Sequence, residues 1–340
     1  MNLLSSLVKI GVKYGGLRLA EKMARNYPRI LMYHRFDEHG KGKGVSADQF
    51  EHQISELSAN FECITISEIA ARIKSGQRIA RGKPVACVTV DDGYADFYEI
   101  AFPILKRYQV PASFYVTTGF VDGDCWFWYD RLEWIVSHSV DNKVTSDGRI
   151  YSSAEWNGDK AKVWGLLVSD YLKKDGSDIE NLLQDLSSQV GVQVPQTAPE
   201  HYKAVTWDQL REMREAGIEI GGHTVNHYSL GRLDAQDVMD ELKTCRNRLA
   251  DELGEAPKAF CYPNGQPADI PADYAKVLRE AGFESSVVAY YDKQGMADPY
   301  ALRRHGIGES WYEFQKTIRG VDRLGAVLLG RNNVFDWGET

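Results

Sequence analysis

No stretch of this chain approaches the roughly 20 consecutive apolar residues that a bilayer-crossing helix needs. Near the start, Lys9 and Lys13 interrupt the apolar run Leu3, Leu4, Leu7, Val8 and Ile10 before it reaches the length of an export signal. There is no Cys-x-x-Cys pair, and the five cysteines (Cys63, Cys87, Cys125, Cys245 and Cys261) are scattered and odd in number. That argues against a disulfide framework and for reduced thiols in a cytoplasmic protein. Cys87 and Cys261 lie in apolar runs and read as small core residues. An excess of basic residues is missing too. The net charge of −8 argues against a general nucleic-acid binder, which needs a basic face. Internal repeats and low-complexity tracts are also absent from the sequence.

With 340 residues, 43% of them hydrophobic, the chain suffices for one large domain or two modest ones and for a sizeable core. Leu3, Leu7, Ile10, Tyr14, Leu17 and Ala20 recur at helical spacing, with Lys9, Lys13, Arg18, Lys22 and Arg25 among them. A basic amphipathic helix of this kind either packs on its domain, the favoured reading, or rests peripherally on the inner face of an anionic membrane.

From about residue 28, short apolar runs alternate with amphipathic stretches. Strands are expected at 29–33, 61–66, 84–90, 111–117, 218–222, 259–262, 284–289 and 301–304. Helices are expected at 47–58 (capped by Ser46 or Asp48), from Ser67 on, and at 96–108, 206–216, 234–253, 271–281 and 311–329. Such alternation means a parallel sheet with helices outside it. Seven or so strands suit a barrel, which collects strand ends from distant positions at one mouth. Asp91, Asp92, His223, His227 and the Pro263 loop all sit just past an expected strand.

Residues 122–205 break the rhythm and read as an insertion between two barrel strands. They carry Trp126, Trp128, Trp134, Trp156 and Trp164 and a turn-rich stretch over 139–153. The segment from Asp124 to Asp130 either walls a sugar site with aromatic faces or forms a satellite core. The expected organisation is an N-terminal amphipathic helix over 1–27, a barrel over 28–320 with the insertion at 122–205, and a C-terminal helix and tail over 321–340.

Two stretches carry chemistry. Val88-Thr89-Val90-Asp91-Asp92-Gly93 ends a buried strand in adjacent carboxylates. Neighbours on a strand point to opposite sides, but a tight glycine turn at its end aims them at different parts of one site. One carboxylate then ligates a metal while the other stays free. Alone, Asp-Asp-Gly also suits a capped surface turn. Gly221-Gly222-His223-Thr224-Val225-Asn226-His227 places two imidazoles four residues apart, a spacing that brings both onto one side of a helical turn. Two histidines and one aspartate leave coordination positions open for water and substrate.

Thr89-Val90-Asp91-Asp92-Gly93 resembles the Thr-Phe-Asp-Asp-Gly motif of the polysaccharide deacetylases, carbohydrate esterase family 4. His223-Thr224-Val225-Asn226-His227 resembles that family's His-Ser/Thr-x-x-His motif, and Phe260-Cys261-Tyr262-Pro263-Asn264-Gly265 its third motif, Arg-x-Pro-Tyr-Gly. The resemblance implies a distorted (β/α)7 barrel, here with an inserted helical segment. It implies one divalent ion on Asp92, His223 and His227, with Asp91 as general base. It also implies removal of acetyl groups from N- or O-acetylated sugars. Asn264, through its backbone N–H, and Tyr262 fall where oxyanion and substrate contacts belong.

Two departures stand out. The family's C-terminal Leu-x-His motif is missing, and Leu31-Met32-Tyr33-His34 ends the first strand instead. This resembles the circularly permuted members, such as the poly-N-acetylglucosamine deacetylases, and places the general acid at His34, with His305 as its rival. The arginine that usually pairs with the base is replaced around Cys261, and Arg304 is the candidate substitute.

The resulting expectation is a metal-dependent sugar N-deacetylase with zinc as first choice and cobalt, nickel or iron as alternatives. Its partner is an acetylated sugar or glycan, carried by a nucleotide or a lipid, in the cytoplasm or at the inner membrane face. The competing readings are O-deacetylation or deformylation at the same ion, and a catalytically weak glycan-binding protein.

Overall fold

Val85–Val90 is buried at every position, as expected of a strand with both faces covered. It lies within a parallel sheet whose strands we number β1 (Arg29–Tyr33), β2 (Val85–Val90), β3 (Ala112–Val116), β4 (Glu219–Gly222), β5 (Ala259–Cys261), β6 (Ser285–Val288) and β7 (Leu302–Arg303 and His305–Gly306). The computed structural model describes residues 17–39, 44–140, 143–152, 159–174, 176–290, 292, 298–307 and 310–321.

Each strand pairs in parallel with the next in sequence. The first half of β7 pairs with β6 (Val287 with Leu302, Val288 with Arg303). Its second half pairs with β1 (Leu31 with His305, Met32 with Gly306). The sheet therefore closes through a seventh strand broken at Arg304, giving a distorted (β/α)7 barrel. Glu62–Cys63 adds a short parallel pairing to the start of β2.

The helices follow their sequence signals. Ser46 caps Ala47–Asn60 by accepting from Gln49 N. Thr206 and Gln209 close a capping box on Trp207–Glu215, and Asp234 caps Ala235–Leu253. The stretch expected as one helix over 96–108 begins instead as a π-turn, Phe97–Ala101, before Phe102–Tyr108. Pro103 explains the change: it has no N–H to give the carbonyl four residues back, and its ring crowds that carbonyl.

Between β3 and β4 the chain forms Thr118–Asp122, Trp128–His138, Lys160–Tyr171 and Gly176–Val190. The stretch read as merely turn-rich contains an antiparallel hairpin, Lys143–Ser146 with Arg149–Ser152. Trp128, Leu132, Ile135, Val163, Leu167 and Leu183 build a hydrophobic cluster of this segment's own. Of the expected N-terminal helix, Leu17–Met23 is helical, and residues 1–16 lie outside the described residues. Of the helix expected over 311–329, Trp311–Ile318 is present, and 322–329 lie outside the described residues.

Arg29 ties these ends to the barrel. Its side chain is fully buried and donates to the carbonyls of Ile318 (2.9 Å), Ala24 (2.7 Å) and Tyr27 (2.5 Å). These acceptors lie at or just past the C-terminal ends of Leu17–Met23 and Trp311–Ile318, where backbone carbonyls lack helical partners. Arg29→Met is expected to destabilise the protein by at least about 1–3 kcal/mol, the cost of leaving a buried acceptor unpaired. Urea unfolding at neutral pH measures it.

Candidate active site

The chain leaves β2 through a turn that only short polar residues or glycine accept readily. Asp91 N donates to Tyr33 O, and Thr117 N donates to Asp92 O, both at 3.1 Å. Asp92 adopts φ 81° and Gly93 φ 105°. The left-handed step at Asp92 breaks strand alternation, so both carboxylates open into one cleft rather than onto opposite faces of the sheet. Both are buried.

The histidine segment after β4 is not a helical turn. Thr224 (φ 66°) and His227 (φ 59°) are left-handed, and the loop is held from outside itself. Thr118 N and Gly119 N donate to Thr224 O (3.1 Å) and Val225 O (3.0 Å). Glu241 accepts from Val225 N (2.7 Å), Asn226 N (3.1 Å) and Asn226 Nδ2 (2.6 Å). Gly119 has no room for a side chain, because a Cβ would stand 2.6 Å from Val225 O. The loop brings the two imidazoles to one point by these contacts, not by helical periodicity.

At that point, Nε2 of His223 and Nε2 of His227 each lie 3.4 Å from Asp92 Oδ1. His223 Nδ1 is 2.7 Å from Cys261 O. A carbonyl only accepts, so Nδ1 carries the proton and the neutral ring turns its Nε2 lone pair towards a carboxylate oxygen. Lone pairs meeting in a buried space require either a proton on an imidazole or a cation. A divalent ion satisfies all three atoms at once, and the donor set suits one. A second grouping, Asp91, His223 and Cys261, also has its ligand atoms within 4.8 Å of one another, but Arg304 already occupies its carboxylate and stands against its sulfur, which disfavours a second positive charge.

Arg304 meets Asp91 in a bidentate pair, Nη1 to Oδ1 and Nη2 to Oδ2, both 2.7 Å. Its Nη1 also donates to Thr89 Oγ1 (3.1 Å), its Nε donates to Val288 O (3.2 Å), and its Nη2 lies 3.2 Å from Cys261 Sγ. Burial pushes the Asp91 pKa up, but the Arg304 guanidinium outweighs it and holds the carboxyl below its usual range. Asp92 goes the same way and further: burial opposes ionisation, and where the two Nε2 atoms carry protons in place of an ion, their hydrogen bonds to the carboxylate overcome it.

His34 leaves β1 at the same mouth, with Nε2 3.7 Å from Asp91 Oδ2 and a part-exposed ring. His305 is buried within β7, edge-on to Tyr27 at 5.8 Å, and is not part of the cleft wall. Between the two candidates, the cleft therefore contains His34. Asn264, in a left-handed conformation (φ 58°), and Tyr262 line the same cleft as the carboxylates, the histidines and Arg304.

The cleft has a volume of about 360 Å³, and part of its wall is Trp128, Tyr129, Trp164, Val168 and Leu172 from the inserted segment. The segment 124–130 thus divides between its two readings. Trp128 and Tyr129 face the cleft, while Trp126 and Phe127 pack with Tyr94, Phe120 and Tyr202 in a small core. Sequence reasoning missed Tyr129, whose hydroxyl donates to Asp92 Oδ2 at 3.2 Å. Burial first, then the Asp92 and Asp130 carboxylates, push its pKa well up, so it stays a donor. Glu241 was missed as well. Its signal was present, a carboxylate set in the buried stripe of Val238, Leu242, Cys245 and Leu249.

The profile of the polysaccharide deacetylase family matches residues 78–149 and 158–286. The Bacillus subtilis protein YxkH, named a polysaccharide deacetylase, is 30% identical over 280 residues, 81% of this chain and 69% of its own. A poly-beta-1,6-N-acetyl-D-glucosamine N-deacetylase of Staphylococcus aureus is 37% identical over 82 residues, 24% of this chain and 27% of its own. Among solved structures, the Streptococcus pyogenes deacetylase PplD in complex with acetate shares the fold with a TM-score of 0.54 at 18% identity, over 86% of this chain and 98% of that one. With its closed barrel and its carboxylate–imidazole cluster at the strand ends, this chain belongs to the polysaccharide deacetylase family, the carbohydrate esterases that hydrolyse acetyl groups from sugars.

Proposed function

We propose that the protein removes an N-acetyl group from a sugar, with one divalent ion held by Asp92, His223 and His227. The observation that carries this is the convergence of both Nε2 atoms on Asp92 Oδ1 beside a second carboxylate kept charged by Arg304. The ion, zinc for preference given two imidazoles and a carboxylate, supplies Lewis acidity that makes water nucleophilic near neutral pH.

The chain's own groups do the rest. Asp91 is buried, ionised and clamped, so its carboxylate takes the proton of the attacking water. Arg304 fixes the orientation of that carboxylate and opposes its neutralisation. His34, across from Asp91 and open to solvent on one side, gives a proton to the departing amine. The Asn264 backbone N–H stands where it can steady the developing oxyanion. Trp128 and Trp164 offer flat apolar faces to sugar rings, and Tyr262 closes the wall near Asn264.

We place the reaction in the cytoplasm or at the inner membrane face, on a sugar carried by a nucleotide or a lipid. All five cysteines are free thiols, which suits a reducing compartment. Finding the protein outside the cytoplasmic membrane by fractionation would remove this placement without touching the chemistry.

Acetate release from N-acetyl sugars, tested on nucleotide-linked, lipid-linked and free oligosaccharide forms, is expected to stop on chelation and to return with added zinc. Asp91→Asn and His34→Asn are each expected to lower the rate by about 10²–10⁴-fold, the usual share of a general base or acid. His223→Ala should abolish both turnover and metal retention. Full activity in Asp91→Asn would make the base assignment wrong.

Arg304→Leu leaves Asp91 buried without its partner and is expected to cost about 3–5 kcal/mol. Asp91→Asn in the same chain should recover much of that, as read by urea unfolding in chelator. The pH dependence has a definite sign. In the wild type the folded pKa of Asp91 is depressed. Its stabilisation is therefore full above the unfolded carboxylate value of about 3.9 and lost as pH falls through the folded value. In Arg304→Leu burial acts alone and raises that pKa, so the variant's deficit should shrink on acidification.

A further inference from the structure

The inserted segment reaches the metal ligands themselves. Tyr129 lies in the first turn of Trp128–His138, and its hydroxyl donates to Asp92 Oδ2 at 3.2 Å. The other oxygen of that carboxylate, Oδ1, faces the two imidazoles. The Tyr129 ring stands edge-on to His227, with centroids 5.7 Å apart and planes at 71°. It also stacks on Phe127 at 5.2 Å and 7°, and Phe127 itself packs edge-on to His227 at 5.0 Å. His227 Nδ1 is buried without a hydrogen-bond partner, so on that side these two rings, together with the edge-on His223 ring at 4.9 Å, hold the imidazole while its Nε2 faces Asp92. Tyr129 is anchored in turn. Trp164 Nε1 donates to its carbonyl at 2.8 Å. Tyr94, two residues past Asp92, donates to Asp130 Oδ2 at 2.5 Å.

We propose that Tyr129 is a positioning residue of the metal centre, holding the Asp92 carboxylate so that Oδ1 alone points at His223 and His227. The terminal torsion of an aspartate is broad, so an unrestrained Asp92 carboxylate would swing away from the orientation that aims one oxygen at both imidazoles. By this bond the insertion becomes part of the metal site and not only a wall of the substrate cleft. The role rests on the reading of Asp92, His223 and His227 as ligands. Partners that hydrogen-bond to ligating carboxylates are typically worth about 10–100-fold in metal affinity.

The test is the zinc affinity of the 340-residue chain by chelator competition, for the wild type, Tyr129→Phe and Tyr202→Phe. Tyr202→Phe also deletes a tyrosyl hydroxyl from the insertion, one that donates to Glu133 Oε2 at 3.1 Å and does not touch Asp92. The expected result is about 10–100-fold weaker binding for Tyr129→Phe, with wild-type affinity for Tyr202→Phe. Melting temperatures of all three proteins in chelator should agree, which shows that the fold is intact. Equal affinity of Tyr129→Phe and wild type would overturn the role. An equal loss in both variants would overturn it too, because general loosening of the insertion would then be the cause. A wild type that binds no divalent ion would instead sink the ligand assignment beneath it.

Discussion

Two adjacent carboxylates are buried at the end of one barrel strand, and the rest of the site answers that constraint. Removing a carboxylate from water costs several kcal/mol even after relaxation, unless charge and hydrogen bonds replace what water supplied. Asp91 is answered by one guanidinium through two bonds of 2.7 Å. Asp92 is answered by two imidazoles at one oxygen and a tyrosine at the other. The two solutions differ in kind. The Asp91 pair is complete in charge. The Asp92 cluster gathers three electron-pair donors with no permanent cation among them, which is the arrangement that calls for a metal ion. On the reading proposed above, the same pair of residues divides into a base kept free of the ion and a ligand committed to it.

Barrel closure and the charge of Asp91 are coupled at a single residue. The two ladders of β7 end on either side of Arg304, at Arg303 towards β6 and at His305 towards β1. An unbroken strand would carry its side chains alternately in and out and would fix the backbone at 304 to one neighbour. The break lets Arg304 turn inward, with its Nε on the Val288 carbonyl and its fork on Asp91. Thr89, whose hydroxyl accepts from Arg304 and donates to Leu31 O at 2.9 Å, links this guanidinium to β1 as well. The irregularity that distorts the barrel is thus also what places its buried cation.

Much of this was legible because strand ends carry their own punctuation. Val85–Val90 is an apolar run interrupted only by Thr89 and closed by Asp91-Asp92-Gly93, and Glu219–Gly222 runs directly into the histidines, so pattern and chemistry coincide. His34 was legible from its place one residue past β1, which register sets beside β2. What was hidden depended on contacts between segments far apart in sequence. The four-residue histidine spacing suggests a helix, yet the loop owes its shape to Glu241, 14 residues on from His227, and to the backbone after β3. Tyr129 sits in an aromatic cluster in which neighbouring rings take opposite roles. Trp126 and Phe127 complete a core, and Trp128 and Tyr129 face the cleft. Local pattern could not separate them, because the helix beginning at Trp128 turns successive side chains through about 100° and only tertiary docking decides which arc is covered.

The third motif shows how a charge can be kept while its residue moves. Where the family pattern has an arginine, this chain has Cys261, a fully buried side chain. The guanidinium of Arg304 passes 3.2 Å from its sulfur on the way to Asp91. A long cationic side chain at 261 and another at 304 would compete for the same space and the same carboxylate, with two like charges in a site that already calls for a metal ion. A small, polarisable side chain at 261 leaves the volume the guanidinium needs. The backbone at 261 keeps a separate task, since its carbonyl sets the His223 tautomer at 2.7 Å, and that task does not depend on which side chain the position carries. Position 261 therefore orients the His223 imidazole through its main chain and makes room for the Arg304 guanidinium through its side chain.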